Sequence, residues 1–128
     1  MFILINNTNR EEVVFYYLLG EDWKEKKFKV KNGLPVLFYF DKLLKGLKKK
    51  KTDVLGLAVL IGEGSFTSTR IAVTLVNTLA YALEIPVIGV KKIEFDNLKE
   101  KITSTKVGQY VSAKYSGEPN IGVKKVKK

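Results

Sequence analysis

The sequence contains no cysteine and no histidine among its 128 residues. The absence of cysteine excludes disulfides, thiolate nucleophiles and thiolate metal sites. The absence of histidine excludes Ser-His-Asp and Cys-His catalysis, the HExxH zinc motif and every imidazole ligand. A carboxylate site for Mg²⁺ or Ca²⁺ stays open with 13 Asp and Glu, but the sequence has no D-x-D-x-D-G run. The usual chemical groups of a hydrolase are therefore missing.

Arginine is scarce: Arg10 and Arg70 stand beside 21 lysines, and the formal net charge is +10. One interpretation is a solvated, lysine-covered surface. The other is attraction to nucleic acid or to an acidic partner. Because specific recognition of bases and phosphates favours the arginine fork, this composition indicates nonspecific attraction at most.

Long apolar runs are absent as well. None reaches the roughly 18 residues that span a bilayer, and residues 1–10 lack the basic-then-apolar layout of a secretion signal. We therefore expect a soluble, cytoplasmic protein with no membrane partner. A hydrophobic content of 45% in 128 residues is enough for one core of ordinary size.

The hydrophobic pattern predicts an α/β fold with a mixed five-stranded sheet. Three antiparallel strands come first, and two amphipathic helices then connect two further strands, which should be parallel. A turn is predicted over residues 6–9, where four small polar residues follow one another. The predicted strands are residues 2–5, 13–19, 23–31, 54–61 and 86–90, and the predicted helices are residues 35–48 and 68–83.

The pattern is weaker after residue 90. Residues 93–102 indicate one or two helical turns, and residues 107–115 alternate like a strand. Residues 121–126 can return as its partner, and such a hairpin must pack on something to be stable. We therefore divide the chain into a first unit over residues 1–102 and a hairpin with a basic tail over residues 103–128.

A glycine-rich loop joins the fourth strand to the second helix. Backbone N–H groups and the helix dipole at such a junction can bind an anion. The candidate phosphate contacts are Gly62, Gly64, Ser65 and Thr67. The alternative is a purely structural tight turn, and the spacing does not fit a P-loop. Ser65 has no base near it in the sequence, so it is not predicted to be a nucleophile.

The outward faces of the two predicted helices differ from the lysine-rich remainder of the surface. On the first helix, Phe38 lies opposite the core stripe, and Leu34 precedes it by one turn. On the second helix, the outward residues are Arg70, Thr74, Asn77, Thr78 and Tyr81. Small hydroxyls with one amide, one arginine and one tyrosine suit contact with another helix, although a solvated surface is the alternative.

Two stretches resemble the TsaB (YeaZ) family, accessory subunits of the bacterial machinery that makes threonylcarbamoyladenosine in tRNA. Residues 56–72 read GLAVLIGEGSFTSTRIA, and residues 79–90 read LAYALEIPVIGV. The family pattern is approximately G-P-G-S-F-T-G-L-R-x-G followed by L-A-Y-A-L-x-I-P-x-x-G-V. The matching positions of the first part are Gly62, Gly64, Ser65, Phe66, Thr67 and Arg70. The resemblance covers about residues 1–115 and is specific over residues 62–90.

The resemblance implies an actin-like, RNase H-like first lobe, with residues 103–128 as the remnant of a truncated second lobe. It also implies a non-catalytic scaffold subunit that pairs with a TsaD-like catalytic subunit through the two helices, or with a second copy of itself. No metal and no cofactor of its own are expected, and ATP or ADP would bind only at the interface with the partner. The implied interface residues are Leu34, Phe38, Tyr39, Arg70, Thr74, Asn77, Thr78 and Tyr81.

The sequence also departs from the family. Asn7 stands in the turn where ATP-binding relatives carry an aspartate that serves the phosphate or metal, so Asn7 is only a candidate phosphate contact.

Two alternatives to the scaffold function stay open. One is a lysine-rich tRNA-binding module without a TsaD-like partner, which would use the lysines of residues 42–51 and 124–128. The other is a residual nucleotide-binding enzyme that uses the loop of residues 62–67.

Overall fold

A computed structural model describes residues 1–31, 33–62 and 66–112 of the chain. The sheet has the strand order β3-β2-β1-β4-β5. Strand β2 pairs antiparallel with both β1 and β3, whereas β1, β4 and β5 are parallel. The elements are β1 (Phe2–Asn9), β2 (Glu12–Leu19), β3 (Asp22–Lys29), α1 (Val36–Gly46), a 3₁₀ turn (Lys51–Asp53), β4 (Gly56–Leu60), α2 (Phe66–Leu83), β5 (Val87–Val90) and α3 (Leu98–Thr103). The predicted mixed five-stranded sheet is confirmed.

Helices cover the sheet on both faces. Alternate residues of β1 point to opposite sides, because successive strand side chains alternate. Ile3 and Ile5 join the core beneath α1 and α2, whereas Phe2 and Leu4 pack with α3. We call these the helix-pair side and the α3 side of the sheet. Among the described residues, no helix is both long and apolar enough to cross a membrane.

Strand β1 is longer than predicted. The expected turn over residues 6–9 is wrong, because β1 continues to Asn9 and reverses at Arg10 and Glu11. Asn6 pairs with Val14 of β2, and the register shifts between Asn6 and Asn9. The Asn6 side chain accepts hydrogen bonds from both the backbone N–H and the hydroxyl of Thr8. Asparagines that favour turns in isolation are thus accommodated by an irregularity within the strand pair.

The C-terminal prediction needs correction over the described residues. Residues 107 and 108 form a turn, and no strand forms over residues 107–112. The remainder of the expected hairpin, residues 113–126, lies outside the described residues, as do the lysines of the tail. The division of the chain at residue 102 therefore stays a prediction.

Candidate functional site

Helix α1 buries one side against the sheet and leaves the opposite side exposed. Val36, Phe40 and Leu43 are buried at helical spacing, as an amphipathic helix requires. The same geometry turns Phe38 outward, where its side chain is 42% exposed, and Leu37 beside it is 37% exposed. The outward position of Phe38 agrees with the sequence prediction.

Helix α2 packs on the sheet through small and β-branched side chains. Ala72, Val76 and Ala80 are almost fully buried, and their small volume lets the helix lie close to β1 and β4, which it contacts. On the outer side, Tyr81 is 73% exposed and Ile71 is 48% exposed.

The outward side chains of α1 and α2 form one surface, because the two helices contact each other on the same side of the sheet. We call this surface the helical face. Large apolar side chains are concentrated on it, which monomeric surfaces usually avoid. The helical face comprises Leu34, Leu37, Phe38, Arg70, Ile71, Thr74, Thr78 and Tyr81.

Tyr39 does not belong to the helical face, which corrects the sequence expectation for this residue. Only 3% of its surface is exposed. Its hydroxyl accepts a hydrogen bond from the backbone N–H of Lys31 at 2.7 Å, and its ring lies 5.6 Å from that of Phe28. Tyr39 therefore ties α1 to the segment after β3 and is not available to a partner.

Asn77 is also used within the chain. Its Nδ2 donates a hydrogen bond to the carbonyl of Val111 at 3.0 Å, and its Oδ1 accepts one from the Val111 N–H at 2.9 Å. The side-chain amide thus pairs with a backbone as a neighbouring strand would. Val111 itself packs against the helix-pair core. The sequence placed Asn77 among the partner contacts, but the structure uses both of its polar atoms to hold the segment after α3.

Leu37 and Ile71 are the members of the helical face that sequence reasoning missed. The signal was present in the spacing. Leu37 follows Leu34 by three residues and Ile71 precedes Thr74 by three, and residues three or four apart share one helix surface. Both side chains are among the exposed large hydrophobic residues of the described chain.

The start of α2 lies next to the end of β1, because the Asn7 side chain donates a hydrogen bond to the Ser68 carbonyl. Gly62 adopts a φ of 103°, a conformation that side-chain-bearing residues rarely adopt. Thr67 is exposed, whereas Gly64 and Ser65 fall outside the described residues. The phosphate contacts predicted at Gly62, Gly64, Ser65 and Thr67 therefore stay a prediction.

Asn7 does not offer its amide to a ligand at this loop. The residue is 4% exposed, and its Nδ2 donates a hydrogen bond to the carbonyl of Ser68 at 2.7 Å. An uncharged amide that is bonded to α2 does not fit a metal-bridging role. Among the described residues, no group of three His, Cys, Asp or Glu could hold a metal ion.

The α3 side of the sheet carries a different feature, an aromatic cluster. Trp23 stacks on Phe95 with ring centroids 5.3 Å apart, and Tyr16 lies 5.3 Å from the same ring. Burial raises the pKa of the Tyr16 phenol, and the nearby carboxylate of Glu25 adds to the effect. The three rings pack against the core on the α3 side of the sheet, and none of them was predicted as a site residue.

The strand order and the placement of the helices define an actin-like α/β lobe. A family model described as "TsaD: tRNA N6-adenosine threonylcarbamoyltransferase" matches residues 36–116, which is more than half of the chain. The chain is 37% identical to the tRNA threonylcarbamoyladenosine biosynthesis protein TsaB of Bacillus subtilis (strain 168), over 49% of this chain and 31% of that protein. The chain therefore belongs to the family that this model describes, and it is similar to TsaB over the matched segment.

Solved structures agree with the fold. A structure described as YeaZ from Pseudomonas aeruginosa superposes with a TM-score of 0.60 at 25% identity, covering 70% of this chain and 42% of that chain. A second is described as an uncharacterized protein with similarity to peptidase YEAZ from Pseudomonas aeruginosa. It superposes with a TM-score of 0.61 at 24% identity, with the same coverage. The chain thus spans less than half of the length of these relatives.

Proposed function

We propose that the chain is a docking subunit in tRNA threonylcarbamoyladenosine biosynthesis and acts in the cytoplasm. In this proposal it binds a TsaD-like catalytic subunit through the helical face and performs no catalysis itself. The observation that carries the proposal is the exposure of Leu37, Phe38 and Ile71 on one surface of two adjacent helices.

The composition of the helical face suits a partner interface. Aromatic and aliphatic side chains at the centre of an interface commonly supply its hot spots, each about 2 kcal/mol or more when truncated. Phe38 and Tyr81 are exposed rings on this face, and Thr74 and Thr78 between the larger residues are small enough for a partner helix to approach. The Thr78 hydroxyl already donates to the Thr74 carbonyl at 2.8 Å, so burying it would leave no unpaired donor.

A non-catalytic role is supported by the residues near the glycine-rich loop. Asn7 stands where the family resemblance expects a carboxylate, and its amide nitrogen bonds to α2. The sequence offers no histidine or cysteine as an alternative base, nucleophile or ligand. In this proposal any ATP or ADP binds at the interface with the partner, and titration of the isolated chain with ATP and Mg²⁺ produces no heat of binding.

The docking proposal is tested by a charge placed on the helical face. Leu37→Asp introduces a carboxylate in the first turn of α1, where the helix dipole favours an anion and no acidic residue is present. We expect the variant to fold but to lose complex formation with a TsaD-like protein from the same source. The measurement is co-purification followed by light scattering.

Leu55→Asp is the matched control, because the same substitution is made at a leucine that is 56% exposed and lies outside both helices. It should bind the partner like the unmodified chain. Equal binding by both variants would overturn the docking proposal. A different outcome would assign the helical face to a homodimer. In that outcome the unmodified chain self-associates and does not bind the TsaD-like protein, and Leu37→Asp converts it to monomers.

A further inference from the structure

We propose that a lysine-lined groove between β3 and α1 binds single-stranded segments of RNA through their phosphate backbone. The groove lies beside the helical face and draws its residues from β2, β3 and α1. The proposal goes beyond docking, because it assigns a nucleic-acid surface to this chain itself and does not depend on a protein partner.

On the wall of the groove that the sheet forms, the positive charge comes from Lys26. Its register partner on β2 is Phe15, which is buried in the helix-pair core. Lys26 therefore projects toward the layer of α1 and α2, at a strand position where an apolar residue would normally complete the core. The helix pair leaves this position uncovered, since Lys26 is exposed. A lysine that only protected the sheet edge could equally have pointed to the α3 side.

Helix α1 supplies the opposite wall. Lys42 and Lys45 line the groove together with Lys26, and its volume is about 590 Å³. The described lining residues include no carboxylate. The described lining of this groove therefore carries three lysines and no acidic side chain, which favours positive potential there.

A second depression lies along α1. Its volume is about 710 Å³, and it shares Lys42 and Lys45 with the first. Lys49 and Lys51 extend the basic lining. The carboxylate in this part is Asp41, whose Oδ1 lies 3.3 Å from the Lys51 ammonium. The two depressions are thus lined together by five lysines and, among the described residues, by one carboxylate, which suits a polyanion.

Aromatic rings alternate with these lysines. The ammonium of Lys26 lies 5.5 Å from the ring centroid of Phe28, and that of Lys42 lies 5.9 Å from the ring of Phe38. Tyr17 also lines the groove. Single-stranded nucleic acids bind surfaces of this kind, because bases stack on aromatic rings while the backbone follows the cations. An acidic polypeptide would need the cations but would gain much less from the rings.

Two further observations favour RNA without strong sequence preference. The lining cations of the groove are lysines, which act as point charges and lack the fork that reads base edges. The concave shape disfavours an anionic membrane, since a flat lipid surface could not reach lysines on both walls at once.

The test compares two triple variants of the full chain with equal loss of charge. The groove variant carries Lys26→Gln, Lys42→Gln and Lys45→Gln. The control variant replaces three exposed lysines elsewhere: Lys29 on the other side of β3, Lys101 on α3, and Lys106. Binding to a fluorescently labelled single-stranded RNA is measured by anisotropy over a range of salt concentrations, and circular dichroism checks that both variants are folded. Both variants keep the same lysines at residues 124–128, so any contribution of the tail to RNA binding does not affect the comparison.

We expect the groove variant to bind RNA about tenfold more weakly and to lower the slope of log affinity against log salt by about 2, as three lost phosphate contacts predict for a single strand. The control variant should retain its affinity. Equal weakening of both variants would assign RNA binding to diffuse surface charge and overturn the proposal, and so would an absence of RNA binding by the unmodified chain.

A second comparison separates RNA from an acidic protein. Phe38→Leu keeps an apolar side chain and removes the ring, so it should weaken binding to RNA and leave binding to polyglutamate unchanged. If polyglutamate binds as tightly as RNA and neither ligand responds to Phe38→Leu, the groove recognises charge alone and the RNA assignment is wrong.

Discussion

At the scale of single residues, the structure shows which hydrogen bonds particular polar side chains make, and residue type alone could not predict these partners. An amide on the outer side of a helix is typical of a surface contact, so the sequence predicts that Asn77 contacts a partner. Its donor and acceptor instead match the backbone of Val111, which returns 34 residues later. Asn7 similarly bonds to the Ser68 carbonyl across 61 residues. Spacing along the chain cannot reveal such long-range partners.

Asn77→Ala should destabilise the chain and release the segment around Val111. Two partly buried hydrogen bonds are lost, which we expect to cost about 1–2 kcal/mol of unfolding free energy. Denaturant unfolding measures this cost, and faster hydrogen exchange at the Val111 amide localises it. Thr78→Ala is the control: its hydroxyl bonds only within α2 and is exposed, so stability should change by less than about 0.5 kcal/mol. Unchanged exchange at Val111 in Asn77→Ala would contradict the assignment.

At the scale of elements, hydrophobic periodicity predicted the existence, type and order of the first five strands and both long helices, because burial on a regular backbone imposes its own period. Their ends were less predictable. Strand β1 runs to Asn9 because β2 provides backbone hydrogen-bond partners up to that residue. The segment of residues 107–112 also alternates in sequence, but its Val111 hydrogen-bonds to the Asn77 side chain and not to a strand. Whether a segment finds a strand to pair with depends on the whole fold, so it cannot be predicted from that segment's sequence.

Gly56 at the start of β4 shows how closely α3 packs on the sheet. A Cβ added there would lie 2.5 Å from Cγ2 of Ile102 and 2.9 Å from the Phe2 ring. Gly56→Ala should therefore destabilise the chain by about 1–3 kcal/mol, measured by denaturant unfolding. Ile102→Leu removes the obstructing branch, so the cost of Gly56→Ala should be smaller in that background.

Gly46 at the end of α1 is the control for this pair, since an added Cβ would meet nothing within 4 Å. Gly46→Ala should be neutral or stabilising by up to about 1 kcal/mol, because alanine loses less backbone entropy in a helix. Equal destabilisation by both alanine substitutions would show that the close approach of α3 is not the cause.

At the scale of the whole molecule, α1 contributes to two surfaces that lie side by side. Its outward apolar residues form the helical face with α2, and its lysines line the groove with β3. Lys26 and Lys42 are 16 positions apart in the sequence, and only the packing of α1 over the sheet brings them to one concavity. The two surfaces overlap at Phe38, which is exposed on the helical face and also lines the second depression, whereas Leu37 lines neither depression and Lys26 lies outside the helical face.

The two surfaces should respond to different substitutions. Leu37→Asp is expected to abolish binding of the TsaD-like protein and to leave RNA affinity within about twofold, because it lies outside the groove lining. The groove variant should do the reverse. Titrating each variant with each ligand measures this double dissociation. Loss of both activities in either variant, with the fold intact, would mean that partner and RNA share one site.

Local patterns in the amino-acid order were enough to predict the α/β class, the order of strands and helices, the outward position of Phe38 and the family resemblance of residues 56–90. These features depend on periodicity and on short motifs. Long-range packing was needed to show that Tyr39 and Asn77 serve their own chain, that Leu37 and Ile71 complete the helical face, and that Lys26 lines a groove with α1. Those outcomes depend on contacts between distant segments, which form when burial of the shared core fixes one arrangement of helices on the sheet.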